Sequence, residues 1–128
     1  MIYLDTSAAL AHLLAEDRSP PFTLWQEPLV SSRLLEYEAW TRINARGLRR
    51  SHGDALAVML ARVAFVELTH AVLVRALEPI PAPVRTLDAL HLASIDFLRG
   101  QGQDIRLATY DERMTAAARR MRIPLVPL

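Results

Sequence analysis

The chain has 128 residues, 52% of them hydrophobic, and a formal net charge of +1, which predicts a single domain over residues 1–128 with a buried core. It has no cysteine, so disulfides and thiolate chemistry are excluded, and we expect a reducing, cytoplasmic location. No apolar run approaches the roughly 20 residues that span a bilayer, and the N-terminus lacks the basic segment of a signal peptide. All fifteen basic residues are arginine, which codon bias explains more simply than phosphate binding does.

The N-terminal third predicts two strands separated by helical segments. IYL forms an apolar strand that ends at Asp5, and SAALAHLLAE has the composition of a helix. Prolines after Ser19 are placed to start a short helix that ends near Glu27. A second short strand follows over Leu29–Ser31.

The middle of the chain is mostly helical in composition. RLLEYEAWTRINARGLRR predicts a helix that stops near Gly47, and SHGDALAVMLARVAF predicts another with Ser51 as its cap. The next stretch is ambiguous. We predict a turn near Thr69 and a helix to about Leu77, followed by a loop broken by prolines.

The C-terminal third predicts a long helix and then a strand that, as at the N-terminus, is followed by an acidic residue and a helix. TLDALHLASIDFLRG predicts a helix with Thr86 as its N-cap and Gly100 just past its end. A strand over Ile105–Thr109 then leads to Asp111 at the start of a helix, and IPLVPL predicts a last short strand. Alternating strands and helices predict an α/β domain around a short, mostly parallel sheet flanked by helices.

Acidic residues stand where strands end and helices begin. Asp5 and Asp111 both follow predicted strands, and residues in that position of a parallel sheet meet at one crevice, so we expect the two to face each other. A helix cap explains either of them alone. Asp88 lies in the first turn of a largely buried helix, where the helix dipole alone would account for it.

A fourth acidic residue is expected from the segment LLEYEAW. Glu36 and Glu38 lie about 200° apart on a helix, so only one of them can point into a site. Periodicity does not decide between them. The simpler role of Glu38 is a pair with Arg42 one helical turn later.

Several carboxylates in one cleft repel each other, so their convergence would require a cation. Oxygen ligands without cysteine or a histidine pair favour Mg²⁺, with Mn²⁺ possible, over Zn²⁺. Such an ion can activate water for phosphodiester hydrolysis. His91, three residues after Asp88, is a candidate general base, although a buried and hydrogen-bonded histidine is the commoner arrangement.

The sequence resembles PIN-domain ribonucleases, most closely the VapC-like toxins of type II toxin–antitoxin systems. The resemblance rests on four segments in order: YLDTSAAL, SSRLLEYEAWTR, RTLDALHLASI and LATYDERMTAAA. It implies a PIN-like fold and a Mg²⁺-dependent endoribonuclease that hydrolyses RNA by metal-activated water. The implied catalytic and metal-binding set is Asp5, Glu38, Asp88 and Asp111, with Thr6, Ser7 and Thr109 as supporting polar residues.

The resemblance also implies partners. VapC-like toxins are held inactive by a cognate antitoxin and commonly form homodimers. The Arg-rich segments RINARGLRR and AARRMR could contact RNA phosphates, although solvated helix faces explain any single arginine.

The alternative function is a PIN-like module that binds RNA or protein without cutting. Receiver domains and haloacid-dehalogenase-type phosphatases are excluded, because both need a lysine.

Overall fold

The computed structural model describes residues 1–128 and contains four short strands and six α-helices. The strands are β1 (Ile2–Leu4), β2 (Leu29–Ser32), β3 (Val63–Val66) and β4 (Arg106–Ala108). The helices are α1 (Thr6–Leu13), α2 (Leu34–Ala45), α3 (Arg49–Leu60), α4 (His70–Ala76), α5 (Thr86–Gly100) and α6 (Glu112–Arg120), with a 3-10 helix over Phe22–Gln26.

The sheet is entirely parallel, with the strand order β3-β2-β1-β4. Strand β1 lies in the middle, and its residue Tyr3 is paired with Val30 of β2 and Leu107 of β4. All three residues of β1 are fully buried, as expected for a strand covered on both faces. The predicted PIN-like arrangement of a short parallel sheet flanked by helices is confirmed.

Two hydrophobic cores lie on opposite faces of this sheet. Because side chains alternate along a strand, Ile2 and Leu4 of β1 enter one core, whereas Tyr3 enters the other. The first core packs against α1, α2 and α3, and the second against α5 and α6. The ends of β1 and β4 therefore lie between two layers of helices, which hold the segments that follow them in place.

The main error of the sequence interpretation concerns β3. The segment around Phe65 was expected to end a helix, but Val63–Val66 pairs with β2 over four residues, since two β-branched valines and an aromatic suit a strand. Helix α3 begins at Arg49, so Ser51 lies inside it and donates to the carbonyl of Leu48. The C-terminal segment forms one bridge, from Leu125 to Leu107, in place of a strand.

Other boundaries shift by a residue or two. Arg85 is the N-cap of α5, so Thr86 is its first residue, and Gly100 is its last residue. The short helix after Ser19 is a 3-10 helix that begins at Phe22. None of the helices has the length and apolar character that crossing a membrane requires.

Candidate active site

Asp5 lies at the C-terminal end of the central strand and caps α1. Its Oδ2 accepts hydrogen bonds from Ser7 Oγ at 2.6 Å and Thr109 Oγ1 at 2.8 Å, and a longer one from Ser7 N at 3.4 Å. Its Oδ1 accepts no hydrogen bond from the protein and is available to a ligand. The residue is 6% exposed, and α1 follows it directly. Asp5 therefore caps α1 and is also one of the predicted site residues.

Thr109 connects Asp5 to Asp111. Its hydroxyl donates to Asp5 Oδ2 and accepts from the backbone N–H of Asp111 at 3.0 Å. Asp111 caps α6, with Oδ1 accepting from the N–H groups of Arg113 at 2.8 Å and Met114 at 3.3 Å. Strands β1 and β4 are neighbours in the sheet, and these contacts connect Asp5 to Asp111 through the hydroxyl of Thr109.

Glu38 is the acidic residue of α2 that joins this group. Its Oε1 accepts from Thr6 Oγ1 at 3.0 Å and lies 2.5 Å from His91 Nε2. Glu36 instead pairs with Arg33 at 2.9 Å on the surface. The alternative role of Glu38, a pair with Arg42, is not seen as a hydrogen bond or close ion pair, because the Glu38 carboxylate contacts Thr6 and His91.

His91 links Glu38 to the core beneath the site. Tyr3 Oη lies 2.7 Å from His91 Nδ1 and accepts the N–H of Ser32 at 3.0 Å. An ionised carboxylate only accepts hydrogen bonds, so His91 Nε2 donates to Glu38. Both ring nitrogens are engaged and the residue is 2% exposed, so His91 matches the buried, hydrogen-bonded arrangement better than that of a base open to substrate.

The electrostatics of this pair favour opposite charges. Burial disfavours the charged form of His91, but its hydrogen bond to Glu38 and the charges of Asp5, Glu38 and Asp88 outweigh burial and raise the His91 pKa. Burial likewise opposes ionisation of Glu38, but the contacts with His91 and Thr6 leave the pKa of Glu38 below its ordinary value. Burial raises the pKa of Tyr3, which remains a neutral hydroxyl.

Asp88 lies in the first turn of α5 and is contacted by an arginine that sequence reasoning did not single out. Its Oδ2 accepts the backbone N–H of Arg85 at 3.1 Å, and Arg85 Nε lies 3.5 Å from the same oxygen. Arg85 Nη2 lies 3.6 Å from Asp111 Oδ2, so its guanidinium bridges two acidic residues. The only sequence signal was an arginine directly before the TLDALH segment.

The four predicted acidic residues, together named the acidic ring, are connected by protein contacts only in part. Thr109 links Asp5 to the backbone N–H of Asp111, and Arg85 lies between Asp88 and Asp111. Glu38 is held by Thr6, which follows Asp5 in the chain, and by His91, and no hydrogen bond joins either of these two residues to Asp88. The oxygen donors fit Mg²⁺ or Mn²⁺ by type. However, no three acidic or histidine side chains are grouped closely enough to form a ready-made metal site. An ion that bound Oδ2 of both Asp88 and Asp111 would have to displace Arg85 from these atoms.

Two hollows open next to the ring. One, of about 350 Å³, adjoins Glu38 and Thr6 and is lined further by Tyr37, Leu87 and Arg42, among others. The other, of about 240 Å³, adjoins Ser7 and Asp111, and its arginines are Arg18, Arg42 and Arg46. The acidic ring is therefore bordered by cationic and apolar side chains.

Comparison with known proteins agrees with this architecture. A family model described as PIN domain matches residues 2–120. The chain belongs to the PIN-domain family. The relative named Ribonuclease VapC46, from Mycobacterium tuberculosis, is 33% identical over 129 residues, covering 98% of this chain and 95% of the relative.

A solved structure supports the fold of this PIN domain. The crystal structure of Mycobacterium tuberculosis VapC20, described as a sarcin-ricin loop cleaving toxin, matches with a TM-score of 0.69 and 24% identity. The match covers 91% of this chain and 95% of that chain. Together these findings confirm the resemblance to PIN-domain ribonucleases of the VapC type.

Proposed function

We propose that this PIN domain is a Mg²⁺-dependent endoribonuclease that acts as the toxin of a toxin–antitoxin pair. The observation that carries the proposal is the ring of Asp5, Glu38, Asp88 and Asp111 at the C-terminal end of the sheet, in a chain of this family. The name of the VapC46 relative supports ribonuclease activity, and the description of VapC20 supports a toxin that acts on RNA.

Each acidic residue has a distinct part in this proposal. Asp5 would offer its free Oδ1 to the ion, because Ser7 and Thr109 already hold its Oδ2. Asp88 and Asp111 would bind the ion with the carboxylate oxygens that now face Arg85. When bound, Mg²⁺ would lower the pKa of a water molecule and offset the charge that develops on the phosphate.

Glu38 would be the fourth acidic ligand of the ion, and neighbouring residues hold its side chain in place. Thr6 and His91 both contact its Oε1, which leaves Oε2 without a partner in the protein. Tyr3 in turn holds the ring of His91, so the orientation of Glu38 depends on the central strand. We propose that Thr6, Ser7, Thr109 and His91 are positioning residues and do not contact RNA.

The borders of the ring suit a polynucleotide. Arg18, Arg42 and Arg46 line the hollow next to Asp111 and can bind phosphates on one side of the cut. Tyr37 is 65% exposed at the other hollow, where an unpaired base could stack on it. This arrangement favours single-stranded or looped RNA over a closed duplex.

The partners of a VapC-type toxin belong to the same proposal. A cognate antitoxin that covers the cleft would have to neutralise four carboxylates, so we expect it to place a basic side chain there. Co-expression with the product of any small open reading frame directly upstream of the gene, followed by co-purification and loss of RNA cleavage, would identify that antitoxin. The predicted homodimer stays a prediction, and light scattering of the purified protein would test it.

The activity is tested with a matched pair of variants in one helix. Purified protein is incubated with end-labelled single-stranded RNA and Mg²⁺, or with EDTA, in parallel with Glu38→Gln and Glu36→Gln. Both variants remove one negative charge from α2, but only Glu38 belongs to the acidic ring, whereas Glu36 pairs with Arg33 on the surface. We expect cleavage by the parent and by Glu36→Gln, and a loss of at least a hundredfold in Glu38→Gln and in EDTA.

The outcomes separate the two functions considered. RNA cleavage that survives EDTA or Glu38→Gln would contradict the proposed mechanism. RNA binding without cleavage in any ion would favour the non-catalytic PIN-like module, for which the lack of a preformed group of metal ligands is the supporting observation. Sequencing the cut ends from cells that express the protein would then identify the RNA.

A further inference from the structure

Arg85 is the one arginine whose side chain pairs with the acidic ring. Its Nε lies 3.5 Å from Asp88 Oδ2, and its Nη2 lies 3.6 Å from Asp111 Oδ2. These two aspartates belong to the starts of two different helices, α5 and α6. The guanidinium therefore contacts one carboxylate oxygen of each aspartate, and an ion that used these two oxygens would compete with it.

These contacts hold Arg85 only loosely. Charge-assisted hydrogen bonds usually measure about 2.7–2.9 Å, and both contacts are longer than that. The Arg85 side chain is 67% exposed, and exposed ion pairs contribute little to stability. By contrast, Arg75 Nε lies 2.6 Å from Asp96 and is mostly covered. A divalent ion can therefore displace Arg85 without disturbing the fold.

A displaced Arg85 would remain beside the bound ion. Its backbone N–H donates to Asp88 Oδ2, which anchors the residue at the N-cap of α5 whatever the side chain does. The planar guanidinium matches phosphate oxygens in a bidentate geometry. RNA held at the ion would bring such oxygens within reach of this side chain.

We propose that Arg85 is a phosphate-binding residue of this site, and that its pairing with Asp88 and Asp111 makes it compete with the divalent ion when RNA is absent. The inference rests on the proposed function, since it takes RNA as the source of the phosphate. It assigns two successive anionic partners to one side chain: the carboxylates of the site first, and the phosphate of the RNA second.

The chain offers a clean variant and a matched control. Arg85→Ala removes the guanidinium but keeps the backbone N–H that donates to Asp88 Oδ2. Arg113→Ala removes the same charge from a neighbouring position, because Arg113 and Arg85 line one hollow together with Pro83 and Val84. The side chain of Arg113 forms no ion pair with the acidic ring. Thermal melts of both variants would verify that they fold.

The first readout is Mn²⁺ binding without RNA, followed through the paramagnetic resonance signal of free Mn²⁺ at low ionic strength. We expect Arg85→Ala to bind Mn²⁺ about three- to tenfold more tightly than the parent, since two weak ion pairs no longer compete. Arg113→Ala should change the affinity less than twofold. Equal affinity in the parent and Arg85→Ala, equal tightening in both variants, or no Mn²⁺ binding at all would overturn the competition.

The second readout is binding of a fluorescent, all-phosphorothioate single-stranded RNA that resists cleavage, measured by anisotropy at saturating Mn²⁺. Loss of one phosphate contact in Arg85→Ala should weaken binding and reduce the slope of log affinity against log salt by about 0.7. An unchanged affinity and slope would overturn the phosphate contact. Both readouts are independent of cleavage, so a failure of the proposed ribonuclease activity is distinguishable from a failure of this inference.

Discussion

Replacement of Asp5 or Asp88 by asparagine should separate the role of each residue in folding from its role at the site. Asp5 Oδ2 accepts two short hydrogen bonds from hydroxyl groups, whereas Asp88 Oδ2 accepts one backbone N–H and a loose arginine contact. A hydrogen bond to a charged group contributes about 1.5–3 kcal/mol and a neutral one about 0.5–1.5 kcal/mol. Two such bonds give a loss of about 2 kcal/mol for Asp5→Asn, which relief of carboxylate repulsion reduces to about 1–2 kcal/mol.

Asp88→Asn should cost less, about 0–1 kcal/mol, because the charge of Asp88 has only one good donor. For a chain of this length these values correspond to a fall in Tm of about 3–8 °C for Asp5→Asn and less than about 4 °C for Asp88→Asn. Thermal melts in EDTA provide the measurement. In Mg²⁺, cleavage of labelled RNA by the same purified variants should be abolished, whereas the parent cuts it.

A double-mutant cycle tests the assigned cause. Ser7→Ala removes the 2.6 Å donor to Asp5, so it should couple to Asp5→Asn by more than about 0.5 kcal/mol and add independently to Asp88→Asn. A higher Tm for Asp5→Asn than for the parent would mean that carboxylate repulsion outweighs the hydrogen bonds. That result, or a greater loss in Asp88→Asn, would refute the reasoning.

Three further predictions concern the core, the pH dependence and the ion. Leu92→Ala, at a fully buried position of α5, should lower the free energy of unfolding by about 2–5 kcal/mol in chemical denaturation, and a loss below about 1 kcal/mol would contradict the packing described. In EDTA, the stability difference between the parent and Glu38→Gln should be largest between about pH 4.5 and 6.5. It should fade as the pH rises through the raised pKa of His91 and as it falls through the lowered pKa of Glu38, so a difference that grows up to pH 9 would argue against the pair. Mg²⁺ at a hundred times its Kd should stabilise the parent by about 2.7 kcal/mol in thermal melts, whereas no shift with either Mg²⁺ or Mn²⁺ would count against an ion site.

The parts of the site that follow strands could be predicted from the sequence. Asp5 and Asp111 each interrupt an apolar run directly before a helical segment, and in a parallel sheet that position leads to one crevice. The pattern for α5 was equally clear, because its buried face repeats with helical spacing over fifteen residues. In these places local propensity and burial favour the same structure, so the pattern indicated the type of each element and its ends to within a residue or two.

The remaining parts depend on contacts that no local pattern encodes. Periodicity left Glu36 and Glu38 equivalent, and the choice in the structure comes from His91, which is 53 positions away in the chain. Arg85 looked like an ordinary residue before a helix, since its second partner belongs to α6. Strand β3 was missed because its apolar residues continue the preceding helical segment and only its pairing with β2 reveals them.

The pairing of the first strand with the last affects when activity can appear during synthesis. Thr109 and Asp5 are 104 positions apart, so a nascent chain lacks both Asp111 and the Thr109 contact until its synthesis is nearly finished. At about 5–20 residues per second, several seconds pass before β4 emerges and can dock beside β1. Incomplete chains would therefore lack the full set of carboxylates, and the proposed RNA cleavage would begin only when synthesis is nearly complete.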